Sequence, residues 1–230
     1  MSDFNTTELN NLLFGVYPYI AIMVCIVASW IRFDREPYTW KADSSQMLSS
    51  KGFRIASNLF HVGVIFILMG HVVGLLTPEW LYHHVISSAD KQMVAMVSGG
   101  FFGILCLIGL LMLIKRRLTN QRVRASSKFS DVFILFMLLV QLVLGLMTIV
   151  ISMEHLDGSV MIMLGNWAQN IVTLQSSAAA AAIEPVHIIY KLHVFVGLSM
   201  IFVFPFTRLV HIISVPVWYF GRRYQIVRER

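Results

Sequence analysis

Four histidines in apolar stretches are the residues of this sequence best suited to carry chemistry. His61 and His71 lie in the apolar run of residues 57–77, and His193 and His211 lie in another run near the C-terminal end. An ionisable side chain inside membrane hydrocarbon is costly and by default marks a functional site. Two neutral imidazoles that face each other can bind the iron of a b-type haem from both axial sides. Two such pairs would make two haem sites, if the fold brings the histidines together.

The composition indicates which elements must position these histidines. Of the 230 residues, 57% are hydrophobic and 13% are charged, whereas about a quarter of the residues of a soluble domain are charged. Apolar runs long enough to cross roughly 30 Å of hydrocarbon recur along the chain. We predict an all-α integral membrane bundle that forms one di-haem domain over residues 1–230. Its five transmembrane helices are predicted at approximately 13–31, 55–77, 92–114, 131–151 and 186–213.

The positive charges predict how the bundle lies in the membrane. Of the 18 Lys and Arg residues, fifteen lie in the loops after the first and third spans and in the C-terminal tail. Such basic loops stay in the cytoplasm, so we expect the N-terminus outside and the C-terminus in the cytoplasm. The net charge of +6 then reflects topology, and we expect a lipid bilayer and no nucleic acid as partner. Residues 160–183 predict an amphipathic helix and an alanine run on the outer face.

The cysteines exclude one class of redox centre. Cys25 and Cys106 are the only two, and both fall in predicted spans. A [4Fe–4S] cluster needs four thiolates. We therefore interpret both cysteines as small apolar residues.

Depth in the membrane pairs the histidines. The second span runs outward and the fifth runs inward, so His61 should match His211 and His71 should match His193. His193 and His211 are 18 residues apart, five turns of helix, and should share one face. Along straight helices the separations would be about 15 Å for His61 to His71 and about 27 Å for His193 to His211. The pairing therefore requires helix tilt, a crossing angle or a kink at Pro205.

Other interpretations of these residues stay open. The four histidines could form a polar bundle core or a proton relay, whereas zinc is disfavoured because no four ligands share one depth. Arg54 and Arg208 lie at the predicted depth of His61 and His211 and could pair with haem propionates. They could equally be interfacial arginines whose charged ends reach the membrane surface.

Glycines bracket the histidines of the second span. Gly63, Gly70 and Gly74 could allow a haem macrocycle to approach the backbone closely. Gly70 and Gly74 also form a G-x-x-x-G pattern, which is typical of helix packing in membranes.

Several longer stretches are characteristic of one family and cover nearly the whole chain in order. They include SNLFHVG at Ser57, GHVVGLLTPEW at Gly70, KQMVAM at Lys91, KLHVFVG at Lys191 and FPFTRLVHIISVPVWY at Phe204. In these stretches the sequence resembles the membrane cytochrome b (gamma) subunits of respiratory nitrate reductases. The resemblance implies two haem b groups. One would have His61 and His211 as ligands on the cytoplasmic side, and the other His71 and His193 on the outer side.

The resemblance also implies partners and a place for them. A quinol would be oxidised near the outer haem, and Lys91, His71 and Gly70 are the candidates for its site, although Lys91 could be only a topological anchor. Electrons would reach a cytoplasmic iron–sulfur (beta) subunit, and nitrate would be reduced in a molybdenum-containing catalytic (alpha) subunit. The protein would lie in the bacterial cytoplasmic (inner) membrane. The alternatives are a di-haem anchor of another quinol-dependent reductase and a non-haem membrane protein.

Overall fold

Five long apolar helices make up most of the computed structural model, which describes residues 7–41, 44–48 and 51–213. Each is long and apolar enough to cross a membrane, the fifth together with the 3₁₀ turn that continues it to Phe206, and no β-strand occurs among the described residues. The predicted all-α bundle of five membrane-spanning helices is therefore confirmed, while its orientation stays a prediction. The long helices are α1 (Thr7–Arg35), α2 (Phe53–Leu76), α4 (Ser88–Thr119), α6 (Phe129–Ser152) and α9 (Ile188–Val203). The shorter helices are α3 (Glu79–Tyr82), α5 (Gln121–Ala125), α7 (Ser159–Val172) and α8 (Ser176–Ile183).

Helix α4 extends beyond its predicted span at both ends because side chains stabilise its termini. Ser87 accepts a hydrogen bond from the backbone N–H of Asp90 and begins the helix. Asn120 follows the last turn, and its side chain accepts from the N–H groups of Arg122 and Val123, which starts α5. These polar caps satisfy backbone groups that the apolar pattern does not reveal.

Helices α2 and α4 pack with their backbones in contact. A Cβ added to Gly63 would lie 2.7 Å from the backbone nitrogen of Cys106, and one added to Gly109 would lie 2.4 Å from that of Phe60. Small residues allow this approach, which is how membrane helices pack without a hydrophobic driving force. Gly63 therefore serves helix packing. A Cβ at Gly70 or Gly74 would meet nothing within 4 Å, so those two glycines do not pack against the described part of the chain.

The segment after α6 packs as two helices, α7 and α8, against the start of α1. Trp167 donates from its indole Nε1 to the carbonyl oxygen of Phe14, which lies in a π-helical stretch of α1. The alanine run is part of the same contact, since Ala179 is fully buried and a Cβ on Gly15 would lie 2.9 Å from the carbonyl oxygen of Ser176. The outer-face segment predicted from residues 160–183 is thus a packed part of the bundle.

The fifth span differs from the continuous helix that we predicted to residue 213. Regular helix ends at Val203, and two 3₁₀ turns follow, Phe204–Phe206 and Arg208–Ile212, with the extended residue Thr207 between them. Pro205 explains the break, because proline has no backbone N–H and its ring clashes with the preceding turn of an α-helix. The five-turn argument that places His193 and His211 on one face therefore does not apply to this structure.

Candidate functional site

The structure brings the four histidines together as two pairs of facing rings. The ring centroids of His71 and His193 are 6.0 Å apart, and those of His61 and His211 are 6.4 Å apart. These are the same two pairs that matched in predicted depth. Helix α2 supplies one member of each pair, α9 supplies His193, and the 3₁₀ turn after α9 supplies His211.

Both ring separations fit a single iron atom between two imidazoles. An imidazole nitrogen binds a transition-metal ion at about 2 Å and lies about 1 Å from the centroid of its own ring, so two axial imidazoles have centroids about 6 Å apart. The observed 6.0 and 6.4 Å agree with that separation. Among the described residues, no three His, Cys, Asp or Glu side chains cluster as they would around a zinc ion.

All four imidazoles have the same ring nitrogen bonded to the backbone. A carbonyl oxygen can only accept, so Nδ1 carries the hydrogen in each ring and Nε2 keeps its lone pair for a metal. A bonded Nδ1–H also fixes the plane of a ligating imidazole. The four acceptors are the carbonyl oxygens of Ser57 for His61 (2.7 Å), Ile67 for His71 (2.8 Å), Gln141 for His193 (3.2 Å) and Arg208 for His211 (2.5 Å).

Helix α6 forms the wall behind His193, which sequence reasoning missed. Gln141 accepts from His193 through its carbonyl oxygen, and its side-chain nitrogen lies 3.4 Å from His193 Nε2. A Cβ on Gly145 would lie only 3.0 Å from Cε1 of the same ring, and one on Gly197 would lie 3.1 Å from the side-chain nitrogen of Gln141. The signal for this contact in the sequence is a single amide side chain, Gln141, which lies one turn before Gly145 in an otherwise apolar span.

The break in the fifth span removes the mismatch between the two histidine separations. His61 and His71 are ten residues apart on α2, and ten residues of regular helix also lead from His193 to Val203. Each distance corresponds to about 15 Å along a helix axis. Because His211 lies against His61, the eight residues after Val203 turn across the bundle and do not continue along the axis.

The residues predicted for quinol binding lie around the end of α2. Lys91 donates from Nζ to the carbonyl oxygen of Thr77 at 3.4 Å, and Nζ is 3.6 Å from the ring centroid of Tyr82. Lys91, Thr77 and Tyr82 line a cleft with Gly74 and residues of α7. Gly70 and His71 precede Gly74 by about one turn of α2, and they are not among the residues that line the cleft.

The two arginines predicted for haem propionates have different surroundings. Arg54 is exposed in the first turn of α2. Arg208 instead lies with Nε 3.1 Å from a carboxylate oxygen of Asp131, and Asp131 also pairs with Arg117 at 3.2 Å. Sequence reasoning treated Asp131 only as the start of a span, so it missed this ion pair. The propionate role of Arg54 and Arg208 stays a prediction.

Comparison with known proteins relates the whole chain to one group. The family model described as nitrate reductase gamma subunit matches residues 10–230. The chain is 48% identical over 222 residues to respiratory nitrate reductase 1 gamma chain of Escherichia coli (strain K12) and 49% identical to respiratory nitrate reductase 2 gamma chain of that organism; each match covers 96% of this chain and 98% of the relative. It is 32% identical over 220 residues to nitrate reductase gamma chain of Bacillus subtilis (strain 168), with 95% and 98% covered.

Proposed function

The chain belongs to the nitrate reductase gamma subunit family, and from this we propose that it is the di-haem cytochrome b that oxidises quinol for nitrate reduction. Membership makes it a subunit of a respiratory nitrate reductase, and the five long apolar helices make it a multi-pass protein of the bacterial inner membrane. The haems, the quinol site and the direction of electron transfer are what we add.

The observation that carries the proposal is the geometry of the two histidine pairs. Ring separations of 6.0 and 6.4 Å suit one iron each, and the shared Nδ1 hydrogen bonds leave every Nε2 without a proton. At His193 the amide nitrogen of Gln141, 3.4 Å from Nε2, would have to give way to the iron. His71 and His193 would hold one haem b, and His61 and His211 the other. The haems would supply one-electron transfer from quinol to a cytoplasmic iron–sulfur (beta) subunit, and nitrate would be reduced in a molybdenum-containing alpha subunit.

The quinol would bind beside the His71–His193 pair, on the outer side. Lys91 offers an ammonium group in the lining of the cleft, where it can donate a hydrogen bond to a quinone oxygen. Gly70 leaves open space on α2 next to His71, since a Cβ there would meet nothing within 4 Å. The ring of Tyr82 holds the Lys91 ammonium by a cation–π contact and so limits its position.

A reduced-minus-oxidised spectrum of the membrane-bound complex tests the proposal. We expect two b-type components in the wild type, loss of one in His61→Ala and loss of the other in His71→Ala, with quinol oxidation abolished in the second variant. His84→Ala, at an exposed loop position, is the matched control and should keep both. A wild type without b-type bands, or a His71→Ala variant that oxidises quinol normally, would refute the assignment.

A further inference from the structure

A buried carboxylate joins three separate elements, one of which is the turn that carries His211. Asp131 lies in the first turn of α6 and is only 7% exposed. One of its oxygens lies 3.2 Å from Arg117 of α4 and accepts the backbone N–H of Lys128, and the other lies 3.1 Å from Nε of Arg208. A buried charge is tolerated when it is paired and hydrogen-bonded in this way. Asp131 therefore draws the Arg208 side chain towards α4 and α6 through an ion pair, in which Nε of Arg208 does not have hydrogen-bond geometry.

Arg208 connects this carboxylate to a histidine. It is the first residue of the 3₁₀ turn Arg208–Ile212, and its carbonyl oxygen accepts the Nδ1–H of His211 at 2.5 Å. The side chain of Arg208 is thus held by Asp131 while its backbone orients the imidazole. The connection runs from α6 through Arg208 to the ring that faces His61.

His211 depends on such support more than the other three histidines do. His61 and His71 are oriented by carbonyl groups of the regular helix α2, and His193 lies within α9. His211 lies beyond the break at Pro205, on a short turn preceded by the extended residue Thr207. A 3₁₀ turn has poorer hydrogen-bond geometry than an α-helix, so a ring oriented within it is held less firmly than one oriented within α2.

We propose that Asp131 is the positioning residue of the His61–His211 haem site, acting through Arg208 on the turn that carries His211. The proposal rests on the di-haem function proposed above. Groups that orient a metal ligand typically change metal affinity or activity by about 10- to 100-fold when they are removed. Asp131 also offsets the positive charges of Arg117 and Arg208, so its neutralisation would make this cluster more positive and would favour the reduced state of an iron centre held by His211.

Redox titration of the b-type components in the membrane-bound complex tests the proposal. The component that disappears in His61→Ala identifies the His61–His211 site. We expect Asp131→Asn to raise the midpoint potential of that component or to remove the component selectively, while the His71–His193 component stays unchanged. Asp131→Glu keeps the charge. In this variant the midpoint potential and the amount of the His61–His211 component should both be close to those of the wild type.

Asp90→Asn is the matched control. Asp90 is also a carboxylate in the first turn of a membrane-spanning helix, where it accepts a hydrogen bond from Ser87. Its substitution should leave the His61–His211 component in place. Arg208→Gln keeps the pair of Asp131 with Arg117 and should reproduce the selective effect even if Asp131→Asn does not accumulate. The double variant Asp131→Asn/Arg208→Gln should change the component no more than Arg208→Gln alone, whereas additive effects would indicate that the two residues act separately.

The outcomes separate this inference from the function on which it rests. A wild type without two b-type components would refute the di-haem function itself. A normal wild type with both components unchanged in Asp131→Asn would refute only the positioning role. Equal loss of both components in Asp131→Asn and Arg208→Gln would also overturn it, because that result indicates general stabilisation of the bundle.

Discussion

At the scale of single residues, the four histidines share one hydrogen-bonding arrangement but depend on different backbones for it. His61 and His71 donate to carbonyl groups of their own helix, His193 donates to a residue of α6, and His211 donates within a short turn. The rings of α2 are therefore fixed by local structure. His193 is fixed only when α6 is folded against α9, and the turn that orients His211 is itself held by the distant residues Asp131 and Arg32.

Substitution of Gly145 is predicted to affect only the His71–His193 pair. Because a Cβ at this position would lie 3.0 Å from His193 Cε1, Gly145→Ala should displace that ring and lower or shift the corresponding b-type component. Gly99→Ala is the control, since a Cβ there would lie 3.8 Å from the nearest atom. Optical spectra of the two variants give the comparison. An unchanged Gly145→Ala spectrum would show that the ring has room to move.

Lys91 is predicted to act on quinol oxidation and not on the haems. Lys91→Ala removes the ammonium group that lines the cleft, so quinol-dependent reduction of the b-type components should slow at least about tenfold. Chemical reduction by dithionite should remain complete. Lys191→Ala is the matched control, because Lys191 is likewise partly exposed, its Nζ donates to the carbonyl oxygen of Glu184, and it does not line the cleft. Equal rates of quinol-dependent reduction in both variants would show that Lys91 does not take part in quinol oxidation.

At the scale of elements, the end of the fifth span is held by the first. Arg32 of α1 donates from Nη1 to the carbonyl oxygens of Pro205 and Thr207, at 2.5 and 2.9 Å. Its other nitrogens donate to the side chain and backbone of Thr39. The break at Pro205 leaves carbonyl groups without helical partners, and a buried carbonyl group without a partner is destabilising. Arg32 supplies the missing donors.

Removing this contact should affect the His61–His211 site. Arg32→Ala leaves the two carbonyl groups unsatisfied, at a cost of about 1–3 kcal/mol each when buried, and should loosen the segment that carries His211. We expect a lower melting temperature for the b-type component of that pair in detergent. Arg35→Ala, an exposed position in the same last turn, should not change it. Identical melting of the two variants would contradict the role of Arg32.

At the scale of the whole molecule, the two histidine pairs lie at two levels of the bundle, about 15 Å apart along α2. Levels so separated would bridge about half of the roughly 30 Å hydrocarbon core. The direction of transfer then depends on which end of the bundle faces the cytoplasm. The basic loop that contains α5 and the loop between α3 and α4 lie at opposite ends of α4.

Cysteine accessibility tests the predicted orientation. The test uses a chain in which Cys25 and Cys106 are replaced by Ala. A single cysteine is then introduced either by His84→Cys, between α3 and α4, or by Arg124→Cys, in α5. Both positions are exposed. A membrane-impermeant maleimide added to intact cells should label position 84, and position 124 should react only after lysis. The opposite pattern would reverse the orientation and place the His71–His193 pair on the cytoplasmic side.

The sequence by itself determined the spans and the set of candidate ligands. Span length and apolar composition are properties of consecutive residues, and they are enough because a helix must satisfy its own backbone groups in hydrocarbon. Depth along antiparallel helices also follows from position in the chain. This depth indicates that His61 faces His211 and His71 faces His193, even on the assumption that both helices are straight.

Only the tertiary structure decided which contacts hold His193 and the turn that carries His211. The contact of Gln141 with His193 joins residues 52 positions apart, and those of Asp131 with Arg208 and of Arg32 with Thr207 join elements more distant still. Such contacts depend on how helices cross and where one of them breaks, which no local pattern specifies. Pro205 marked the place of the break, but the direction of the chain beyond it was set by the side chains that bind the freed backbone.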